Sequence, residues 1–190
     1  MKSIPNILTI LRLLACPILI YLFFFKVYLG ILIIFTLACL TDFFDGYIAR
    51  KESLKSNFGK ILDPIADKAL IISMCVLLII NDDISGLHKI AFYIIILREI
   101  IVTSLRFNLD NQNKGIDVSP LSKYKTFIQM FSIAILLTGE TGNKIINFED
   151  YNAQTVGIIL LWLSAFLTLY TGYDYVRKGI EHVISEDEKN

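Results

Sequence analysis

Apolar residues in this chain gather in six stretches, near residues 7–25, 28–46, 61–80, 88–108, 121–138 and 154–176. Polar segments separate them: Lys51 to Lys60 and Asp110 to Lys125 are basic, whereas Asn81-Asp82-Asp83 and Gly139 to Asn152 are acidic and turn-rich. Each apolar stretch suits a helix close to the roughly 20 residues that cross a bilayer. Only Val156 to Tyr173 is a clean long run; the others carry charge near one end, so polarity sets their borders to within about four residues. The first stretch follows Lys2 and contains Arg12, in the manner of a signal peptide. No small-residue cleavage site follows it, and Lys26 leads straight into more apolar sequence, which predicts an uncleaved first helix. The pattern predicts an all-α integral membrane protein, a bundle of six transmembrane helices in a single domain over residues 1–190, with the tail from Glu181 frayed.

Composition agrees with the pattern. The 190 residues are 55% hydrophobic and 12% aromatic, above an average soluble domain. Net charge is zero, so bulk charge predicts no nucleic-acid partner. The placement of charge is more informative. Of the 18 Lys and Arg residues, all but Lys26, Lys89 and Lys144 fall on one side of the predicted spans. The positive-inside rule puts that side, with both termini, in the cytoplasm. Cys16, Cys39 and Cys75 stand singly in separate apolar runs and read as buried thiols.

Four aspartates break the apolar pattern at the second and third stretches. Asp42, Asp45, Asp63 and Asp67 lie in a run D-x2-D-G-x2-A-R-x8-G-x3-D-x3-D, with Gly46, Ala49, Arg50 and Gly59 between them. Carboxylates at the edge of membrane-length segments are costly and are kept for a metal, a partner or a substrate. On helices, spacings of three and four put each pair on one face. Four such charges brought together need cations. Hard divalent ions with oxygen ligands meet that need, Mg2+ first when phosphates complete the shell and Mn2+ as the alternative. Two ions would serve in-line displacement at phosphorus. Gly46 and Gly59 allow close approach of a large ligand, Arg50 can hold phosphate through its planar fork, and Ser53 and Ser56 offer hydroxyls. Asp63 precedes Pro64, which leaves two options: a third helix that begins at Pro64 with Asp63 as its cap, or one that begins earlier and tolerates the proline.

The stretch from Asp42 to Asp67 matches every fixed position of the CDP-alcohol phosphotransferase motif, and the chain resembles that family. The resemblance implies six transmembrane helices, a homodimer, and a bacterial inner-membrane enzyme with a cytoplasmic site. It implies a CDP-linked donor, CDP-diacylglycerol, and two divalent ions held by Asp42, Asp45, Asp63 and Asp67, with Asp67 also the general base. Gly46, Arg50, Ser56 and Gly59 would line the CDP site. The opening Pro5 to Arg12 is similar to the short N-terminal amphipathic segment of the wider family. Asn6 there fits either a hydrogen bond to the nucleotide or a helix cap.

The acceptor is read from two later segments. Leu97 to Arg106 and Lys123-Tyr124-Lys125-Thr126, with Gln129, look like segments of bacterial members whose acceptor is glycerol 3-phosphate. A dianionic acceptor needs cations, and Arg106, Lys123 and Lys125 share the cytoplasmic side with the aspartates. Arg98 would lie deeper and pair with another helix in preference to its neighbour Glu99, since adjacent helical residues point apart. Tyr173, Asp174 and Tyr175 read as interfacial. His88 and His182 are given no chemistry. The expected reaction yields phosphatidylglycerophosphate and CMP. Another acceptor, namely inositol phosphate, serine or phosphatidylglycerol, is the alternative within the family. A cation transporter is the alternative outside it, but its carboxylates would sit near the midplane of repeated halves. A membrane prenyltransferase would hold its aspartate motifs far apart in the chain.

Overall fold

The computed structural model describes the backbone of residues 3–52, 57–80, 84, 86–111, 120–145 and 152–187. The side chains of 3–6, 42–52, 57–61, 63, 108–111, 120, 123, 139–145, 174 and 178–187 lie outside that description. Six helices follow one another: α1 Ser3–Phe24, α2 Tyr28–Glu52, α3 Asn57–Ile80, α4 His88–Asn111, α5 Pro120–Ile145 and α6 Ala153–Asp187. There is no strand among the described residues.

Short connections make neighbouring helices antiparallel. The tightest joins α1 to α2. Lys26 N–H bonds the Phe23 carbonyl at 3.0 Å and Val27 N–H bonds the Leu22 carbonyl at 3.0 Å, the paired bonds of a Schellman motif. Lys26 itself is left-handed, with φ of 56°. Contacts between helices fix the remaining directions. α1 and α3, each antiparallel to α2, run parallel, and Arg12 on α1 meets Asp67 on α3. His88 and Arg106 on α4 meet Trp162 and Tyr175 on α6 in the same order. Ser132 on α5 bonds the carbonyl of Gly157 near the start of α6, as antiparallel helices require. One end of the bundle therefore gathers the C-terminal halves of α2, α4 and α6 with the N-terminal halves of α1, α3 and α5.

The core is packed by Leu19, Phe35, Met74, Leu78, Phe92, Ile95, Ile133 and Leu161, all essentially inaccessible. Gly157 sets the approach of α6 to α5, since a Cβ built there would stand 2.7 Å from Leu136 Cδ2. Asn152 caps α6, its Oδ1 accepting from Thr155 N–H at 2.8 Å. The exterior is the reverse of a soluble protein's. Ile7, Leu11, Leu14, Phe24, Leu97, Phe127, Phe166 and Tyr170 are exposed, while Thr9, Arg12, Arg98, Glu99, Lys125, Gln129, Ser164 and Thr168 are buried. By length and apolar composition, two stretches among the described residues suffice to cross a membrane, Ile7–Phe24 and Ala153–Arg177. Tyr28–Thr41 and Tyr124–Thr138 are shorter apolar helices.

Five helix borders depart from the polarity pattern. α2 continues through Gly46 to Glu52, α3 begins at Asn57, α4 continues to Asn111, α5 continues through Gly139 to Ile145, and α6 continues past Glu181 to Asp187. Loss of apolar side chains ends the buried face, but the backbone ladder continues wherever no breaker stops it. Pro64 lies inside α3, so of the two options for Asp63 the helix that begins earlier is the one observed. Asn6 lies inside α1, the fourth residue of a helix that begins at Ser3, which removes its reading as the cap. The opening segment is continuous with α1 and forms no separate amphipathic element.

Candidate active site

α2 carries Asp42 and Asp45 three residues apart, and α3 carries Asp63 and Asp67 four apart, each pair within an unbroken helix. Their helical halves lie at the same end of the bundle. Of the four, Asp67 is the one whose side chain is described. It is about one-quarter exposed, at 26%, and forms a salt bridge with Arg12, which is buried. A guanidinium withdrawn from solvent on an apolar helix is tolerable only against such an anion. Gly46 and Arg50 lie in α2 and Gly59 in α3. The side chains of Arg50 and Lys123, and all of Ser53 and Ser56, lie outside the described residues, as do the side chains of Asp42, Asp45 and Asp63.

A second charged group forms where α3, α4 and α5 meet. Glu99 on α4 is 1% exposed. Its Oε1 takes Lys125 of α5 and Arg98 Nη1, the latter at 3.2 Å, and its Oε2 takes Lys68 of α3. Arg98 also donates from Nε to the Thr168 carbonyl at 3.2 Å and from Nη2 to Thr171 Oγ1 at 3.0 Å. Gly172 makes room for it: a Cβ there would stand 3.1 Å from Arg98 Cγ. The long guanidinium thus reaches its neighbour Glu99 and α6 together. The expectation that adjacency would disfavour the Arg98–Glu99 contact is corrected, because Arg is long enough to curl back along its own helix.

Arg106 donates from Nη2 to Tyr175 OH at 2.8 Å, and its Cζ stands 5.2 Å from that ring's centroid. Tyr175 is 3% exposed. It is a buried rest for Arg106 and, at 6.0 Å, for Arg98. Tyr173 is exposed, whereas Tyr175 is turned inward against α4, which corrects the interfacial reading of Tyr175. His88 accepts from Trp162 Nε1 at 3.1 Å, a contact between α4 and α6.

Sequence reasoning brought forward the aspartates, Arg106 and Lys125. It missed three contributors: Arg12, Lys68 and Glu99. Arg12 and Lys68 had been counted as positive-inside charge and Glu99 only as a weak neighbour of Arg98. Their signal was a charge within an apolar helix, which is costly unless paired; the identity of each partner is non-local.

Among the described residues no three His, Cys, Asp or Glu side chains gather as a metal-holding group. The donor chemistry nonetheless fits divalent ions. Four carboxylates on two helices are a hard-oxygen set, and Asp67, one of them, is partly open to solvent.

A helical bundle bearing this motif defines a class. The model of the CDP-alcohol phosphatidyltransferase family matches residues 2–170, and the chain belongs to that family of transferases. Its relatives narrow the comparison. The chain is 43% identical over 180 residues, 93% of this chain and 97% of the relative, to a CDP-diacylglycerol–glycerol-3-phosphate 3-phosphatidyltransferase of Rickettsia typhi. A protein of the same name from Cereibacter sphaeroides is 37% identical over 98% of this chain and 99% of its own length. One from Bacillus subtilis is 34% identical over 78% of this chain and 72% of its own length.

Proposed function

We propose that this protein is an integral membrane enzyme that transfers a phosphatidyl group from CDP-diacylglycerol to glycerol 3-phosphate, giving phosphatidylglycerophosphate and CMP at the cytoplasmic face. The observation that carries the reading is the pairing of two charge groups at one end of the bundle. Asp67, the base position of the motif, is partly open to solvent, and beside it in sequence begins a cluster in which Lys68, Arg98 and Lys125 outnumber the single carboxylate of Glu99. The first suits proton removal and the second suits an anionic acceptor. The apolar exterior and polar interior support a bilayer setting, since exposed apolar surface of this extent needs a cover.

Asp42, Asp45, Asp63 and Asp67 would hold two divalent ions, with Mg2+ favoured over Mn2+. When bound, the ions supply charge neutralisation and Lewis acidity at the pyrophosphate. Asp67 takes the proton from the primary hydroxyl of glycerol 3-phosphate. The resulting oxygen forms a bond to the lipid-side phosphorus as the bond from that phosphorus to the CMP oxygen breaks. Arg50 offers a planar fork to the departing phosphate. Gly46, Gly59, Ser56 and Asn6 line the nucleotide side, Arg106 and Lys123 hold the acceptor's phosphate, and the buried Lys125 adds positive charge from behind Glu99.

Purified protein in mixed micelles with CDP-diacylglycerol and either Mg2+ or Mn2+ tests this directly. CMP release should depend on glycerol 3-phosphate and not on serine, inositol phosphate or phosphatidylglycerol. Release with one of those in its place would move the enzyme elsewhere in the family. Asp67→Asn should lower turnover by about 10²- to 10⁴-fold, and full activity in that variant would remove the base assignment.

A further inference from the structure

Lys68 belongs to no part of the motif, yet it occupies a distinctive place. It follows Asp67 directly on α3, and its side chain is 26% exposed, the same as that of Asp67. The other lysine on Glu99, Lys125, is 2% exposed. Of the two, Lys68 is the one that an incoming solute can reach. Glu99 holds both, one on each carboxylate oxygen.

Resting on the function proposed above, we infer that Lys68 is an acceptor-binding residue. Its ammonium receives the phosphate of the acceptor beside Asp67, and Glu99 is the residue that positions it. Three features of the cluster carry this. The first is charge. Lys68, Arg98 and Lys125 set against Glu99 leave the cluster net positive, the sign that suits a phosphate monoester, which is anionic near neutral pH. A cluster built only to join helices has no need of a surplus, because unbalanced buried charge is destabilising. The second is donor count. An ammonium has three N–H donors, and among the described residues Glu99 is the one ion-pair partner of Lys68, so donors remain for a phosphate oxygen. The third is spacing. Glycerol 3-phosphate carries its anion and its reacting hydroxyl at opposite ends of a three-carbon chain. Base and cation must then stand apart by about the length of the acceptor, and Asp67 and Lys68 share one level of α3 while diverging around it, Asp67 toward Arg12 of α1 and Lys68 toward Glu99 of α4.

Glu99 acts through Lys68 and does not touch substrate. It is inaccessible and anionic, and its carboxylate keeps the flexible lysine stem from wandering into solvent. Lys125 and Arg98 serve as the deeper cations that keep Glu99 ionised and fixed, with Arg98 tied to α6 through Thr168 and Thr171.

Steady-state kinetics of the full chain in mixed micelles, varying each substrate in turn, tests the assignment. Lys68→Met should raise KM for glycerol 3-phosphate about tenfold to a hundredfold, the loss of one hydrogen bond to a charged group. KM for CDP-diacylglycerol should stay within about twofold. Glu99→Asp keeps the charge but draws the anchor back, and should raise the same KM by a smaller factor with kcat largely retained. Lys68→Arg should restore part of the loss. An unchanged KM for glycerol 3-phosphate in Lys68→Met overturns the inference, as does an equal rise in both KM values, which would mark Lys68 as a joint between helices. If Lys68→Met does not fold, Lys68→Arg decides: its broader fork should raise KM for glycerol 3-phosphate alone, and unchanged kinetics there overturn the inference. Wild-type protein run alongside separates the two levels. No turnover of glycerol 3-phosphate by the wild type defeats the proposed function itself, whereas wild-type turnover with unaffected variants defeats only the role of Lys68.

Discussion

The two ends of the bundle are held together by different physics. At the end that carries the motif, helices meet through charge: Arg12 with Asp67, and Glu99 with Lys68, Arg98 and Lys125. At the opposite end they meet through shape and caps. There Gly157 admits Leu136, Ser132 bonds the Gly157 carbonyl at 2.8 Å, Trp162 bonds His88, Asn152 caps α6, and a Schellman turn joins α1 to α2. Buried ion pairs gain little net stability, because desolvation offsets attraction, whereas close packing contributes directly. The charged end therefore has the character of a place kept for chemistry, and the packed end that of the frame that supports it.

The largest test of this contrast is Glu99→Ala. It leaves three cations around a missing anion, and removing one partner of a buried pair costs about 3–5 kcal/mol. Denaturant unfolding in detergent should show that loss. Stability unchanged in this variant would mean that the cations reorganise freely and that the cluster is not a fixed structure. The counterpart at the packed end is Gly157→Val. A Cβ there already meets Leu136 Cγ at 2.8 Å and Ile135 Cγ2 at 3.3 Å. Overpacking should cost about 1–3 kcal/mol, with KM for both substrates unmoved, because no charge is disturbed. A selective change in KM for glycerol 3-phosphate would show that the two ends are not separable.

The same contrast explains what could be read in advance. The six helices are written in local apolar spacing, and their centres lie where that spacing puts them. The motif is also local, contained between Asp42 and Asp67. What could not be read is the partnership of charges. Arg12 and Asp67 are 55 residues apart and Glu99 and Lys125 are 26 apart, so no periodicity relates them. Tyr175 looked interfacial because aromatic residues near a helix end favour the headgroup region; two guanidiniums from α4 draw it inward instead. The extension of α5 to Ile145 was hidden for another reason: Gly139 and Gly142 read as turn residues, but glycine costs a helix only about 1 kcal/mol.

A smaller test compares two glycines, one at each end. Gly172 faces Arg98, with a built Cβ 3.1 Å from Cγ and 3.3 Å from Nε. At Gly157 the neighbours belong to a packed core and cannot retreat, whereas an arginine stem can turn. Gly172→Ala should therefore cost only about 0.5–1.5 kcal/mol, the price of an off-rotamer side chain. Because Arg98 holds Glu99, the variant should also raise KM for glycerol 3-phosphate modestly while leaving that for CDP-diacylglycerol alone. A loss of stability as large as that of Gly157→Val, with no kinetic effect, would make both ends alike.

The smallest effect is expected at the α1–α2 turn, and its sign is opposite. Lys26 holds φ of 56° at the position after a helix where glycine is the usual occupant. A side chain in that conformation costs about 1–2 kcal/mol. Lys26→Gly removes that cost but gives the unfolded chain more freedom, worth about 0.5–1 kcal/mol in the other direction. The difference is a gain of up to about 1.5 kcal/mol, visible as a raised Tm in detergent, with both KM values unchanged. Lys26 lies at the packed end, so a gain there without kinetic change is what a frame independent of the charged end requires. A fall in Tm would mean that the lysine side chain contributes more to the turn than its backbone strain removes.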